Sequence, residues 1–494
     1  MKVGFDQEKY LSLQTEKILE RVKQFDNKLY IEFGGKLFDE HHGSRVLPGL
    51  TPDVKIKMLE KIKDKVEILF CVSANDIESN RVRGDSGLTY DMEALRLIDS
   101  LRNAGLLINN ILITLFNGQQ SVLNFATKLK NKGENVYFHG YTKGYPTDVE
   151  TIVSDEGYGA NPYIPTTRPI VVVTAPGAKS GKLATCLSQL YHEHKRGVKA
   201  GYTKFETFPI WNIPLKHPVN VAYEAATADL KDVNMIDPYY YNVNGKIAIN
   251  YNRDIEIFPV LNRILTQITG EKDYYNSPTD MGVNMAGFAI CDDEVCCEAS
   301  KQEIIRRYYR YLVEHKKGIE KIETVERVQL LMNDLGIKKE DRLVVGEAIK
   351  KQAETGRHSA AIMLHDGKII TAKEQDIFSS SAGCVLNALK YLAGVKDKEN
   401  LIPAETLKTL LDLKKKVLHM ENAILSLKDV LTILALNQKT DKRAKKCLAQ
   451  TPNLKGCDVH VTCIIRESDD NNWRKLGALV TTEPVYSSDR LFDY

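Results

Sequence analysis

The chain has 494 residues, with 68 Lys and Arg against 65 Asp and Glu, and its net charge of +3 offers no basic field for nucleic acid. At 43% hydrophobic and 27% charged residues it has the composition of an ordinary globular protein, long enough for more than one core. No apolar run is long enough to span a bilayer, the first ten residues lack a secretory core, and nine cysteines without a small-domain framework fit reduced thiols, so a cytoplasmic protein without a membrane partner is expected.

Residues 7–25 read as a charged amphipathic helix, and 29–33 as a strand that runs into Gly34-Gly35-Lys36. Helices are expected at 52–63, 90–104 and 119–130, and strands at 66–73, 110–116 and 135–138. Short apolar strands alternating with helices predict an α/β fold, a mostly parallel doubly wound sheet with helices on both faces. Residues 141–169 form a long Gly- and Pro-bearing connection.

Residues 170–174, I-V-V-V-T, then form a buried strand that enters a Gly-bearing loop, and a helix opens near Ser180. Strand, glycine turn and helix N-terminus together make an anion site, because the first helix amides have no intrahelical partner and the macrodipole adds positive charge. Gly177, Lys179, Ser180, Gly181 and Lys182 are the candidate phosphate cradle. The match to the phosphate-binding P-loop is degenerate. Gly181-Lys182 is in place, but Pro176 holds the first glycine position and supplies no N–H. Leu183 replaces the hydroxyl that would hold magnesium, and Thr185 lies round the helix.

The loops after four strands, at Gly34-Gly35-Lys36, Asn75-Asp76, Asn117-Gly118 and Pro176 to Lys182, would share one rim of a parallel sheet, where such folds bind ligands. Residues 201–220, with three prolines and four aromatics, read as a lid or wall over that rim. Glu206, set between aromatics, is a candidate acid or base whose pKa desolvation would raise. Asp229, at the end of a helix expected at 221–230, is the second catalytic candidate, with Asp232, Asp237 and Arg253 nearby in sequence. Helices follow at 254–269 and 298–315, with a turn-rich segment at 277–293 between them.

Charge rises near 316–323, which divides the chain into a 1–320 α/β phosphate-binding-like region and a smaller 321–494 C-terminal α/β domain. There, helices are expected at 325–335, 339–352, 382–393, 403–417 and 425–435, and strands at 358–364, 368–371, 458–465 and 476–482.

Metal and nucleophile patterns fail on spacing. Along a strand Cys457 and Cys463 would lie about 20 Å apart, with His460 on the other face. His192 and His194 are two apart, not four, and Cys291, Cys296 and Cys297 form no C-x-x-C pair, so they read as structural thiols. Cys384 reads as a buried thiol near a helix start, and no G-x-S-x-G elbow is present. No resident metal site is expected.

The runs D-E-G-Y-G-A-N-P-Y, V-V-V-T-A-P-G-A-K-S-G-K-L-A-T-C-L-S-Q-L-Y-H, G-Y-T-K-F-E-T-F-P-I-W-N and N-Y-N-R-D-I-E-I-F-P-V-L resemble a family of bacterial proteins of unknown function over essentially the whole chain. Some of its members carry an ATP-dependent peptidase label, to which these residues add no protease constellation. The resemblance implies a large N-terminal α/β region grouped with P-loop folds, and a separate C-terminal α/β domain. The expected ligand is a nucleotide, with or without magnesium, or another small phosphorylated molecule, and phosphoryl transfer is the reaction class such a site serves. The alternative is a non-catalytic anion-binding sensor or scaffold, and self-association stays open.

Overall fold

The computed structural model describes residues 2–35, 37–38, 40–83, 87–272, 274–420 and 423–489. Two compact units are present, one of residues 2–300 and one that begins at residue 301.

In the larger unit the strands β1 (Leu29–Phe33), β2 (Val66–Ser73), β3 (Leu107–Thr114), β4 (Asn135–Phe138), β5 (Ile170–Thr174) and β6 (Gly201–Phe205) come first. A two-stranded antiparallel pair, β7 (Asn234–Ile236) and β8 (Ile249–Tyr251), precedes β9 (Gly282–Val283). The seven-stranded sheet has the order β4-β3-β2-β5-β1-β6-β9, and every neighbouring pair in it is parallel. The rim expectation follows directly: the loops after β1, β2, β3 and β5 all leave the same edge. Lys36 lies outside the described residues.

Helices α1 (Gln7–Lys23), α2 (Val54–Lys61), α3 (Tyr90–Asn103), α4 (Gln120–Asn131), α5 (Lys182–Lys195), α6 (Pro218–Ala226) and α7 (Asn252–Thr269) surround this sheet. Strand β5 is buried at all five positions, as its unbroken β-branched run requires of a strand covered on both faces. On one face Tyr30, Val171, Val173 and Tyr202 pack against Cys186, Leu187 and Leu190 of α5 and Phe258, Leu261 and Leu265 of α7. Those positions recur at helical spacing, which is why these two helices cover that face.

The start of segment 201–220 differs from the reading of the whole as a lid or wall. Its first five residues form β6, in the sheet beside β1, because Tyr202 and Phe205 are buried on opposite faces at strand spacing. The prolines that argued against regular structure begin only at Pro209. Helix α5 starts at Lys182 rather than Ser180, since Gly181 adopts φ 75° as its N-cap.

The C-terminal unit holds β10 (Ser359–Met363), β11 (Ile369–Lys373), β12 (Asp458–Val461) and β13 (Leu479–Thr482) in the order β11-β10-β12-β13. The sheet is mixed: β10 is antiparallel to both its neighbours, and β12 and β13 are parallel. Ala382, Val385 and Leu389 pack with Val430, Leu434 and Trp473 in its core. No helix among the described residues is long and apolar enough to cross a membrane.

Candidate functional site

The connection from β1 leaves toward β2 on one side, and that from β6 leaves toward β9 on the other. The crevice between β1 and β6 is therefore the point where strand order reverses, the usual ligand position in an open parallel sheet. At its mouth Phe33 and Phe205 are register partners with rings stacked 4.3 Å apart. One residue further, the Gly34 N–H donates to the Phe205 carbonyl at 2.8 Å. A Cβ on Gly34 would meet Glu206 Cγ at 2.6 Å, so only glycine lets the Glu206 side chain lie across the end of β1.

Glu206 belongs to a compact polar cluster. Tyr251 OH donates to its two carboxylate oxygens at 2.5 and 2.6 Å, and Lys204 Nζ lies 3.1 Å from Oε1. Lys204 also donates to Asp254 at 2.7 and 2.6 Å and to the Tyr251 hydroxyl oxygen at 2.6 Å. Glu32, the register partner of Lys204 on β1, accepts from Tyr202 OH at 2.8 Å. Three carboxyls thus surround one ammonium. Burial pushes Glu206 up to about 7, with Lys204 opposing and Asp254 adding to the rise. Burial would lower Lys204, but Asp254, Glu206 and Glu32 outweigh it and hold the ammonium charged. A carboxyl poised near neutrality beside a fixed positive charge is suited to proton exchange. Lys204, Glu206 and Asp254 line a cleft of about 550 Å3, together with Arg21, Trp211 and Tyr274.

The anion loop sits two strands away, at the end of β5. The first bond of α5 runs from Thr185 N–H to the Gly181 carbonyl at 2.9 Å, so the amides of Lys182, Leu183 and Ala184 precede the helical ladder. Lys179, at φ 57°, is exposed. Ser180 is buried; its Oγ donates to the Gly177 carbonyl at 3.0 Å, and its own carbonyl accepts from Thr114 Oγ1 at 2.8 Å. Lys182 Nζ bends back to 3.4 Å from both Gly177 O and Ser180 Oγ. Gly177 is pressed on by Tyr90, whose ring a Cβ there would meet at 2.7 Å. Thr185 Oγ1 donates to Gly181 O and is buried, so it supplies no hydroxyl in place of the one Leu183 lacks.

Asp229 is exposed on the turn after α6, and it is Asp254 that shares Lys204 with Glu206. Asp232, 1% exposed, and Asp237, 0% exposed, are buried acids of that stretch, and Arg253 Nε lies 2.6 Å from Asp232. His192 and His194 diverge to the carbonyls of Asn161 and Ala200. Cys384 is buried, which pushes its thiol up and leaves it unreactive. Sequence reading missed Lys204, Tyr251 and Asp254. The alternation Tyr202, Lys204, Glu206 would have flagged a polar stripe had the segment been read as a strand.

Residues 3–336 match the domain of unknown function DUF1846, N-terminal, and residues 340–492 match the domain of unknown function DUF1846, C-terminal. The chain belongs to this family. It is 52% identical over 500 residues to a UPF0371 protein of Clostridium botulinum strain Alaska E43 (Type E3), with 100% of this chain and 99% of the relative covered. The same identity and coverage hold for a UPF0371 protein of Clostridium botulinum strain ATCC 19397 (Type A). This chain therefore carries both domains in one polypeptide, and these relatives align with it over its whole length.

Proposed function

We propose that residues 2–300 bind a nucleotide or other small phosphorylated metabolite across the rim of the parallel sheet, and that Glu206 acts as acid or base in a phosphoryl transfer. The observation that carries this reading is adjacency. The loop after β5, Gly34 after β1 and Glu206 after β6 leave three neighbouring parallel strands. At the usual strand spacing the first and last of these are about 10 Å apart, the span of a small phosphorylated molecule. The phosphate would replace the Gly177 carbonyl as the partner of Lys182 and take the amides at the start of α5, with Lys179 adding charge. Glu206 would then face an acceptor hydroxyl from the cleft side, with Lys204 and Asp254 holding it in place.

A second reading, a non-catalytic anion-binding sensor, is favoured by one feature. Ser180 and Lys182 are already engaged by the loop's own oxygens, so the loop is closed on itself before any ligand arrives.

Thermal-shift screening with ATP, GTP and phosphometabolites, with and without magnesium, tests the binding claim. A ligand at about 100 times its Kd should stabilise the protein by about 2.7 kcal/mol. Lys182→Ala should abolish the shift, and Glu206→Gln should keep it while removing turnover. Absence of any shift at millimolar ligand would sink both readings; binding without turnover in the wild type selects the sensor. The magnesium arm decides whether an ion accompanies the phosphate, since Leu183 offers it no hydroxyl.

A further inference from the structure

His217, Asp293 and Cys297 converge at a place none of the chemistry above uses. His217 precedes α6, and Asp293 and Cys297 lie four residues apart in the first turns of the helix Asp293–Lys316, on one face of it. His217 Nε2 is 2.9 Å from Asp293 Oδ1 and 3.6 Å from Cys297 Sγ, and Cys297 Sγ is 3.7 Å from Asp293 Oδ2. Each residue offers a ligand atom within 4.8 Å of the other two. The sequence alone makes Cys291, Cys296 and Cys297 structural thiols, but of these three only Cys296 is buried; Cys297 is partly exposed and Cys291 exposed.

The geometry points to a binding site for one borderline-soft divalent ion, zinc by its donor set, held by His217 Nε2, Asp293 carboxylate and Cys297 thiolate. Around tetrahedral zinc, nitrogen, oxygen and sulfur ligands at their normal bond lengths are about 3.3–3.6 Å from one another. The two edges that involve Cys297 sulfur are already close to this. The third is shorter because Nε2–H donates to Asp293, a bond the ion would replace. A thiolate, an imidazole and one carboxylate suit zinc and exclude magnesium and calcium, which take oxygen ligands. Asp293 has 61% of its side chain exposed, so solvent reaches the fourth position.

A Cys, His, Asp trio also invites comparison with a nucleophile triad, and the hydrogen bonding excludes that. Thiol and carboxylate both face Nε2, while Nδ1 accepts from Val219 N–H at 3.2 Å, so no carboxylate orients the ring from the opposite nitrogen. Loading the ion releases the Cys297 proton to solvent and moves the His217 proton from Nε2 to Nδ1. The long Val219 contact is then given up, while Pro218 in the first turn still presets the start of α6.

Cobalt is the probe. The full chain, stripped with chelator and kept reduced, is titrated with Co2+ and followed by absorbance. We expect one equivalent to produce a thiolate-to-cobalt charge-transfer band with tetrahedral visible bands. Cys297→Ser should remove the charge-transfer band, Asp293→Asn should weaken binding by about tenfold or more, and Cys291→Ser should change neither. Circular dichroism confirms that each variant is folded. No band in the wild type, or a band that survives Cys297→Ser or disappears with Cys291→Ser, overturns the site.

Discussion

Glu206 makes folding stability depend on pH in a direction opposite to that of an ordinary salt-bridged carboxylate. Its folded pKa of about 7 lies above the usual 4.5, so between those values the folded chain holds a proton that the unfolded chain has lost. Stability from this group is therefore intact below the lower value and falls as pH rises through the window, reaching its full loss above the upper one. With 22% of the side chain still exposed, solvent screens part of the effect, and the loss is on the order of 2 kcal/mol. Urea unfolding at about pH 5 and about pH 8 should show the wild type losing more stability than Glu206→Gln between the two. Parallel curves for both proteins would show that the carboxyl titrates normally.

At the scale of elements, glycine decides how closely β1 and β6 meet. Gly34→Ala puts a methyl against Glu206 Cγ and should cost about 1–3 kcal/mol in chemical denaturation while displacing the carboxyl from Tyr251. A neutral result would mean that Glu206 is free to move aside. The same scale shows what a single sequence reveals. Strands Leu29–Phe33, Val66–Ser73, Asn135–Phe138 and Ile170–Thr174 were legible to the residue, because short runs rich in β-branched, aromatic and other apolar residues and bounded by glycine or polar loops have few other readings. Strand Gly201–Phe205 was not, since the prolines just beyond it coloured the whole segment, and Gly282–Val283 is too short to carry any period. Within the site, the anion loop could be seen because its residues are consecutive. The partnership of Lys204 with Asp254 and Tyr251 joins residues about fifty positions apart on different elements, and no local pattern encodes it.

Across the whole molecule, each unit has its own sheet and its own core, so damage to one should be readable apart from the other. Trp473 is fully buried in the C-terminal core. Trp473→Ala should cost that unit about 3–5 kcal/mol. Circular dichroism should then show part of the chain unfolding at lower denaturant, while the unit of residues 2–300 keeps its wild-type unfolding midpoint. Loss of both together would mean that the units stand or fall as one. The chain has two tryptophans in all, and the other, Trp211, lines the cleft beside Glu206 with its indole N–H donated to the Asn284 carbonyl at 2.8 Å. In Trp473→Phe every photon of indole emission comes from the cleft wall. A molecule that enters there has to alter the polarity around that one ring, so occupancy of the cleft becomes a colour and intensity change that can be followed without a label and without knowing the reaction.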